Sequence, residues 1–262
     1  MTYCLGIITH EGLVMASDSR TNAGFDQVNM CRKMYTFVDP AKRVLIVLTS
    51  GSLSLTQSVI TLLKRDFEVG QGLAKAPSMY DACRVIGEQI HRVSELDRPA
   101  LERDDYKFNV HFLIGGQIAG QPPGMYLIYP QGNPLSASED SPFLQIGECK
   151  YGRPILDRGV RYQNTTLAEA AKYALISIDS TMRSNVTVGP PIDMVLYRAD
   201  DLKITHRRRL TGKDPDLIDA HARWEQALRK AVQELPEIRF DDPEPQSGGA
   251  MSSDFVLHRD GR

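Results

Sequence analysis

Apolar positions over the first fifty residues fall in short runs, without the wider spacing of a helical stripe. Thr2-Tyr3-Cys4-Leu5-Gly6-Ile7-Ile8-Thr9 leads through His10-Glu11-Gly12 into Leu13-Val14-Met15-Ala16-Ser17-Asp18. Two such runs around a glycine-containing turn predict a β-hairpin. Arg20 to Gly24 is polar and reads as a loop. Arg32 to Phe37 and Arg43 to Thr49 predict a second strand pair around the turn Asp39-Pro40-Ala41-Lys42. Beyond Gly51 the period changes. Leu55, Val59, Leu62, Leu63 and Phe67 recur at helical spacing within Ser52 to Phe67, with Ser52 or Ser54 as the cap. Ser78 to Leu96 predicts a second amphipathic helix, with Tyr80, Val85, Ile86, Ile90, Val93 and Leu96 along one broad face. Strands return at Phe108 to Ile118 and Met125 to Tyr129, a third helix at Thr165 to Met182, strands at Ile192 to Tyr197 and Leu202 to Leu210, and a last helix at Asp216 to Leu235.

Strict β-α-β alternation is absent, which argues against a doubly wound parallel sheet. The order suits an α+β fold of two antiparallel sheets stacked face to face, with helices outside. A chain of 262 residues can bury one such domain, expected over 1–240. From Asp241 to Asp254 the composition shifts to Pro, Asp, Gln, Ser and Gly, so 241–262 is expected to be a flexible tail or one docked on a neighbour.

Composition narrows the function classes. With 31 basic and 33 acidic side chains the net charge is -2, which offers no electrostatic reason for a nucleic-acid or membrane partner. The run Arg207-Arg208-Arg209 reads as a solvated strand end. No stretch approaches the roughly 18 apolar residues of a membrane helix, and Met1 to Gly12 does not read as a signal peptide. Cys4, Cys31, Cys83 and Cys149 are scattered, with no C-x-x-C pair, and fit free thiols in a reducing cytoplasm. The six histidines show no metal-ligand spacing, and no metal or organic cofactor is expected.

The chemistry centres on Thr2. Removal of Met1 before a small residue would place a hydroxyl and a free α-amine on one residue, supplying nucleophile and base together. An α-amine titrates at about 7.7–8.0, so a large minority is neutral near pH 7. Asp18 ends the second strand and Lys33 begins the third, so both can lie beside Thr2. A lysine there favours the deprotonated hydroxyl, and a carboxylate orients it. The plainer alternative is a surface ion pair contributing about 0–1 kcal/mol.

These residues carry a family resemblance. Thr2, Ala16-Ser17-Asp18-Ser19-Arg20, Arg32-Lys33-Met34 and Thr49-Ser50-Gly51, in that order, resemble proteasome β-subunits and bacterial HslV. More narrowly, Thr2-Tyr3-Cys4, Ser17 to Gly24, Arg32-Lys33-Met34, Ile146 to Pro154 and Pro190-Pro191-Ile192-Asp193 resemble Anbu, a bacterial proteasome-related family. The resemblance implies the four-layer αββα sandwich of N-terminal-nucleophile hydrolases. It assigns the nucleophile to Thr2, its electrostatic partners to Asp18 and Lys33, and the oxyanion N–H to Gly51. Arg20, Thr21 and Asn22 match the segment whose backbone pairs with an extended peptide. Two stretches depart from the proteasome pattern: Gly147-Glu148-Cys149 replaces Gly-Ser-Gly, and Asn185, Thr187 or Val188, and Gly189 stand where an Asp and a second Ser precede a Gly.

The resemblance thus implies a cytoplasmic threonine peptidase or amidase working through an acyl-enzyme, as a homo-oligomeric ring or open spiral, with a possible unfoldase partner. Two other readings stay open: a proteolytically silent oligomeric shell that binds peptides, and a small-molecule amidase.

Overall fold

The first hairpin forms as expected in the computed structural model, which describes residues 2–22 and 28–240. β1 (Tyr3–Thr9) and β2 (Gly12–Ser17) are buried along their whole length. Strands of that kind need cover on both faces, and the alternation of side chains across the pleat shows what provides it. Tyr3, Leu5 and Ile7 join an outer core, whereas Cys4 and Ile8 join the core between the sheets.

The short strands β3 (Arg20–Asn22) and β4 (Val28–Met30) pair as a separate ribbon. β5 (Met34–Asp39) and β6 (Arg43–Gly51) form the second expected hairpin. Helices α1 (Leu53–Glu68) and α2 (Met79–Arg103) follow. Next come β7 (Val110–Ile118), β8 (Gly124–Ile128), β9 (Pro134–Ser136) and β10 (Phe143–Gly147). The chain then runs through α3 (Arg153–Gly159), α4 (Leu167–Ser184), β11 (Ile192–Arg198), β12 (His206–Leu210) and α5 (Pro215–Gln233).

One sheet has the order β10-β1-β2-β11-β12 and the other β5-β6-β7-β8-β9. All their pairings are antiparallel. Between them lies a core that includes Met15, Ile46, Leu48, Leu113 and Tyr197. α1 and α2 pack Leu55, Val59, Ile86 and Ile90 on the outer face of the second sheet. Ala170, Ala174 and Ile178 of α4 cover the first. The four layers expected from the strand order are therefore present.

The structure departs from the sequence pattern in several places. Arg20–Asn22 is a strand because β4 pairs with it, a partner no local pattern announces. β9, β10 and α3 are short and lie in loop-rich sequence; β10 is held by its ladder with β1. α2 continues past Leu96 through Pro99 to Arg103, and Tyr80 and Leu96 are exposed on it. β12 starts at His206, later than Leu202. Its three arginines are solvated and two of them are paired: Arg208 with Asp214 and Asp216, Arg209 with Asp193. The segment 241–262 lies outside the described residues. No described helix is long and apolar enough to cross a membrane.

Candidate active site

Strand ends from both sheets converge around Thr2. The register opposes Tyr3 to Gly147 of β10 and Cys4 to Ser17 of β2. Asp18, one residue past β2, therefore lies beside the start of β1. Its N–H donates to the Tyr3 carbonyl at 3.1 Å, and the Tyr3 N–H donates to Asp18 Oδ1 at 3.0 Å. Lys33 immediately precedes β5, and its carbonyl accepts from the Thr49 N–H at 2.9 Å. Its ammonium donates to Asp18 Oδ1 at 2.7 Å and to the Arg20 carbonyl at 2.5 Å.

The pair is not on the surface. Side-chain exposure is 4% for Lys33 and 0% for Asp18, which rules out the solvated ion pair. Burial is the largest influence on the Asp18 carboxyl and raises it above the ordinary carboxylate range; Lys33 and the N–H groups of Tyr3 and Gly189 pull it back. Four donors converge on its two oxygens, from Lys33, Tyr3, Arg20 and Gly189. That arrangement fits only the ionised, acceptor-only form.

Thr2 is held through its carbonyl, which accepts from the Glu148 N–H at 2.8 Å. Gly147 makes that approach possible: its φ is +89°, and a Cβ there would lie 1.9 Å from the Thr2 oxygen. Gly51, with φ +109°, ends β6 at the wall of a cavity of about 670 Å³ that Thr2 and Thr21 also line.

The segment expected to pair with a peptide divides by residue. Thr21 faces the cavity, whereas the Arg20 guanidinium turns away and donates to the Val186 carbonyl at 2.6 Å. It is the Arg20 backbone that reaches the buried pair. Asn22 closes β3.

The two departures from the proteasome pattern meet in space. Asn185 Nδ2 donates to the Glu148 carboxylate at 3.1 Å, and Asn185 Oδ1 accepts from the Thr187 N–H at 3.0 Å and the Thr187 hydroxyl at 2.5 Å. Glu148 is thereby tied to the loop after α4.

Burial raises Cys4, Cys31 and Cys149 above the ordinary thiol range, which keeps them protonated. The described residues contain no cluster of three or more His, Cys, Asp or Glu able to hold a metal ion.

No protein-family model matches the chain. A curated relative, proteasome subunit beta 1 of Pyrobaculum calidifontis, is 23% identical over 205 residues, spanning 77% of this chain and 92% of its own. Solved structures agree more closely. An Anbu (Gly-1) mutant from Hyphomicrobium sp. strain MC1 is 40% identical, with a TM-score of 0.86 over 92% of this chain and 100% of that one. The chain belongs to the Anbu family. Anbu from Yersinia bercovieri, described as an ancestral beta-subunit, is 38% identical with a TM-score of 0.86 over 92% of this chain and all of its own. Anbu from Pseudomonas aeruginosa, solved as a helical assembly, is 41% identical with a TM-score of 0.86 over 94% of this chain and 100% of that one. The αββα sandwich seen here is thus shared with Anbu over nearly the whole chain.

Sequence reasoning missed much of this Anbu cavity. Ser50, Ser52, Asn109, His111, Tyr129 and Gln145 all line it. They come from four separate segments, and only Ser50, within Thr49-Ser50-Gly51, stands in a motif. The pairings of β6 with β7, of β7 with β8 and of β1 with β10 bring them together.

Proposed function

We propose that this chain is an N-terminal threonine hydrolase of peptide or related amide bonds, working in the cytoplasm as a subunit of a homo-oligomer. One observation carries the reading. Thr2 lines a cavity, and the N–H of the next residue shares Asp18 Oδ1 with the buried Lys33 ammonium.

In this mechanism Met1 is removed and Thr2 Oγ attacks the scissile carbonyl. The Thr2 amine takes the hydroxyl proton and later delivers it to the leaving amine, and water then releases the acyl-enzyme. Lys33 disfavours protonation of that amine. The Gly51 N–H serves the oxyanion, as a backbone dipole fixed before the reaction. Thr21 and Asn22 pair with the substrate backbone.

Intact mass of the purified protein is expected to show loss of Met1. Thr2→Ala should abolish hydrolysis of fluorogenic peptides while circular dichroism stays unchanged. Hydrolysis by protein that still carries Met1 would sink the mechanism. Retained Met1 with no hydrolysis favours a peptide-binding shell, a reading to which the Glu148–Asn185 contact lends support, since these residues stand where a serine and an aspartate are expected near the amine.

A further inference from the structure

Among the described residues lining the cavity beside Thr2 there is no Asp, Glu, Lys or Arg. An ionised side chain entering it would lose water without gaining a counter-charge, and an unpaired ion is costly to bury. Selection of basic residues needs a carboxylate in the pocket, and selection of acidic residues needs a cation.

The cavity is not an apolar slot either. Ser50, Ser52 and Asn109 bring groups that both donate and accept hydrogen bonds, and His111 and Tyr129 add more. Burial lowers the His111 pKa below the ordinary histidine value, so the ring is neutral near pH 7, with one donor and one acceptor nitrogen. A purely hydrocarbon side chain would displace water from these groups and leave them without partners, a penalty of about 1–3 kcal/mol for each group fully desolvated. Leu127 and Ile146 supply apolar wall for a methylene stem.

We infer that this cavity takes an uncharged, hydrogen-bonding side chain of a bound peptide, glutamine above all, on the acyl side of the bond to be cut. A carboxamide needs a donor and an acceptor at once, and mixed groups meet both needs. A cavity of about 670 Å³ has room for glutamine, whose stem offers more methylene to the apolar wall than that of asparagine or serine. The assignment of the acyl side rests on Thr2 being the nucleophile. The choice of side chain rests on the cavity alone.

The test separates the two. Acetyl-Ala-Ala-Gln-amide and its Leu, Lys and Glu counterparts are titrated calorimetrically into the full-length Thr2→Ala protein. The glutamine peptide should bind at least tenfold tighter than the other three. Asn109→Asp, which adds a carboxylate at nearly constant shape, should bring the lysine peptide level with or above the glutamine peptide. Equal or tighter binding of the Leu, Lys or Glu peptide by the Asn109 form, or binding of none of the four, overturns the inference. Wild-type protein is assayed in parallel on matching fluorogenic peptides. If it cleaves none while the binding order holds, the hydrolase reading has failed and the selectivity stands.

Discussion

Lys33 is 3% exposed and Asp18 is fully buried, and that burial sets what substitution there must do. Breaking a buried pair leaves the other charge without a partner, at a cost of about 3–5 kcal/mol. Lys33→Ala is therefore expected to lower stability by about that amount in denaturant titrations, and turnover by about 10² or more through loss of a preorganised charge. Asp18→Asn should act the same way, because one amide oxygen cannot serve four donors and its NH₂ would face N–H groups. Wild-type stability in both variants would show that the pair is solvated in solution. His111 makes a pH prediction. Its folded pKa lies below the ordinary value of 6.5, so on acidification the unfolded chain binds the proton first. Stability should hold above that value and fall as pH drops through it, less steeply than for a fully buried ring because His111 is half-exposed. Unfolding at pH 7 and pH 5 should show a smaller loss for His111→Gln than for wild type, and equal losses would refute this titration.

The elements matter here mainly through their ends. β1, β2 and β10 are neighbours in one sheet, β6 belongs to the other, and each delivers its terminal residues to the same edge of the sandwich. A slip of one residue would turn every side chain to the opposite face, so the buried alternation of β1 and β2 fixes where Thr2 and Asp18 emerge. Gly147 is the closest point of contact. Gly147→Ala places a methyl group 1.9 Å from the Thr2 carbonyl at a φ of +89°, so either Thr2 or the end of β10 must move. A displacement near 1 Å at a reacting group costs about 10² in rate. The expected result is loss of hydrolysis of at least that order, with the far-ultraviolet circular dichroism of the sandwich retained. Full activity in Gly147→Ala would mean that the β10 contact does not position the proposed nucleophile.

For the whole molecule the open question is assembly. Leu96, Val69, Leu228 and Val232 stand 73%, 67%, 48% and 66% exposed on or beside the outer helices. α5 buries only Leu217. With a helical assembly solved for the Pseudomonas aeruginosa relative, the proposed homo-oligomer should sediment at many multiples of the 29.3 kDa chain. A species of one chain mass at micromolar concentration in analytical ultracentrifugation would overturn that proposal and favour the small-molecule amidase.

The period of the apolar positions determined the two long hairpins, three of the helices nearly to their ends, and the antiparallel character of both sheets. These are local consequences of side-chain alternation and of the 3.6-residue turn. The order of short motifs from Thr2 through Asp18 and Lys33 to Gly51 marked the candidate site through its resemblance to proteasome β-subunits and Anbu, and the predicted strand ends placed Asp18 and Lys33 beside Thr2. Tertiary structure alone decided the rest. That β10 seats Gly147 against Thr2, that Glu148 meets Asn185 across 37 residues, and that Asn109 and His111 join Ser50 in one uncharged cavity are outcomes of strand pairing between distant segments. Burial of the Lys33–Asp18 pair belongs with them. Two residues 15 apart in sequence carry no signal of how much water surrounds them, and that depends on which strand ends the packed sheets bring over them.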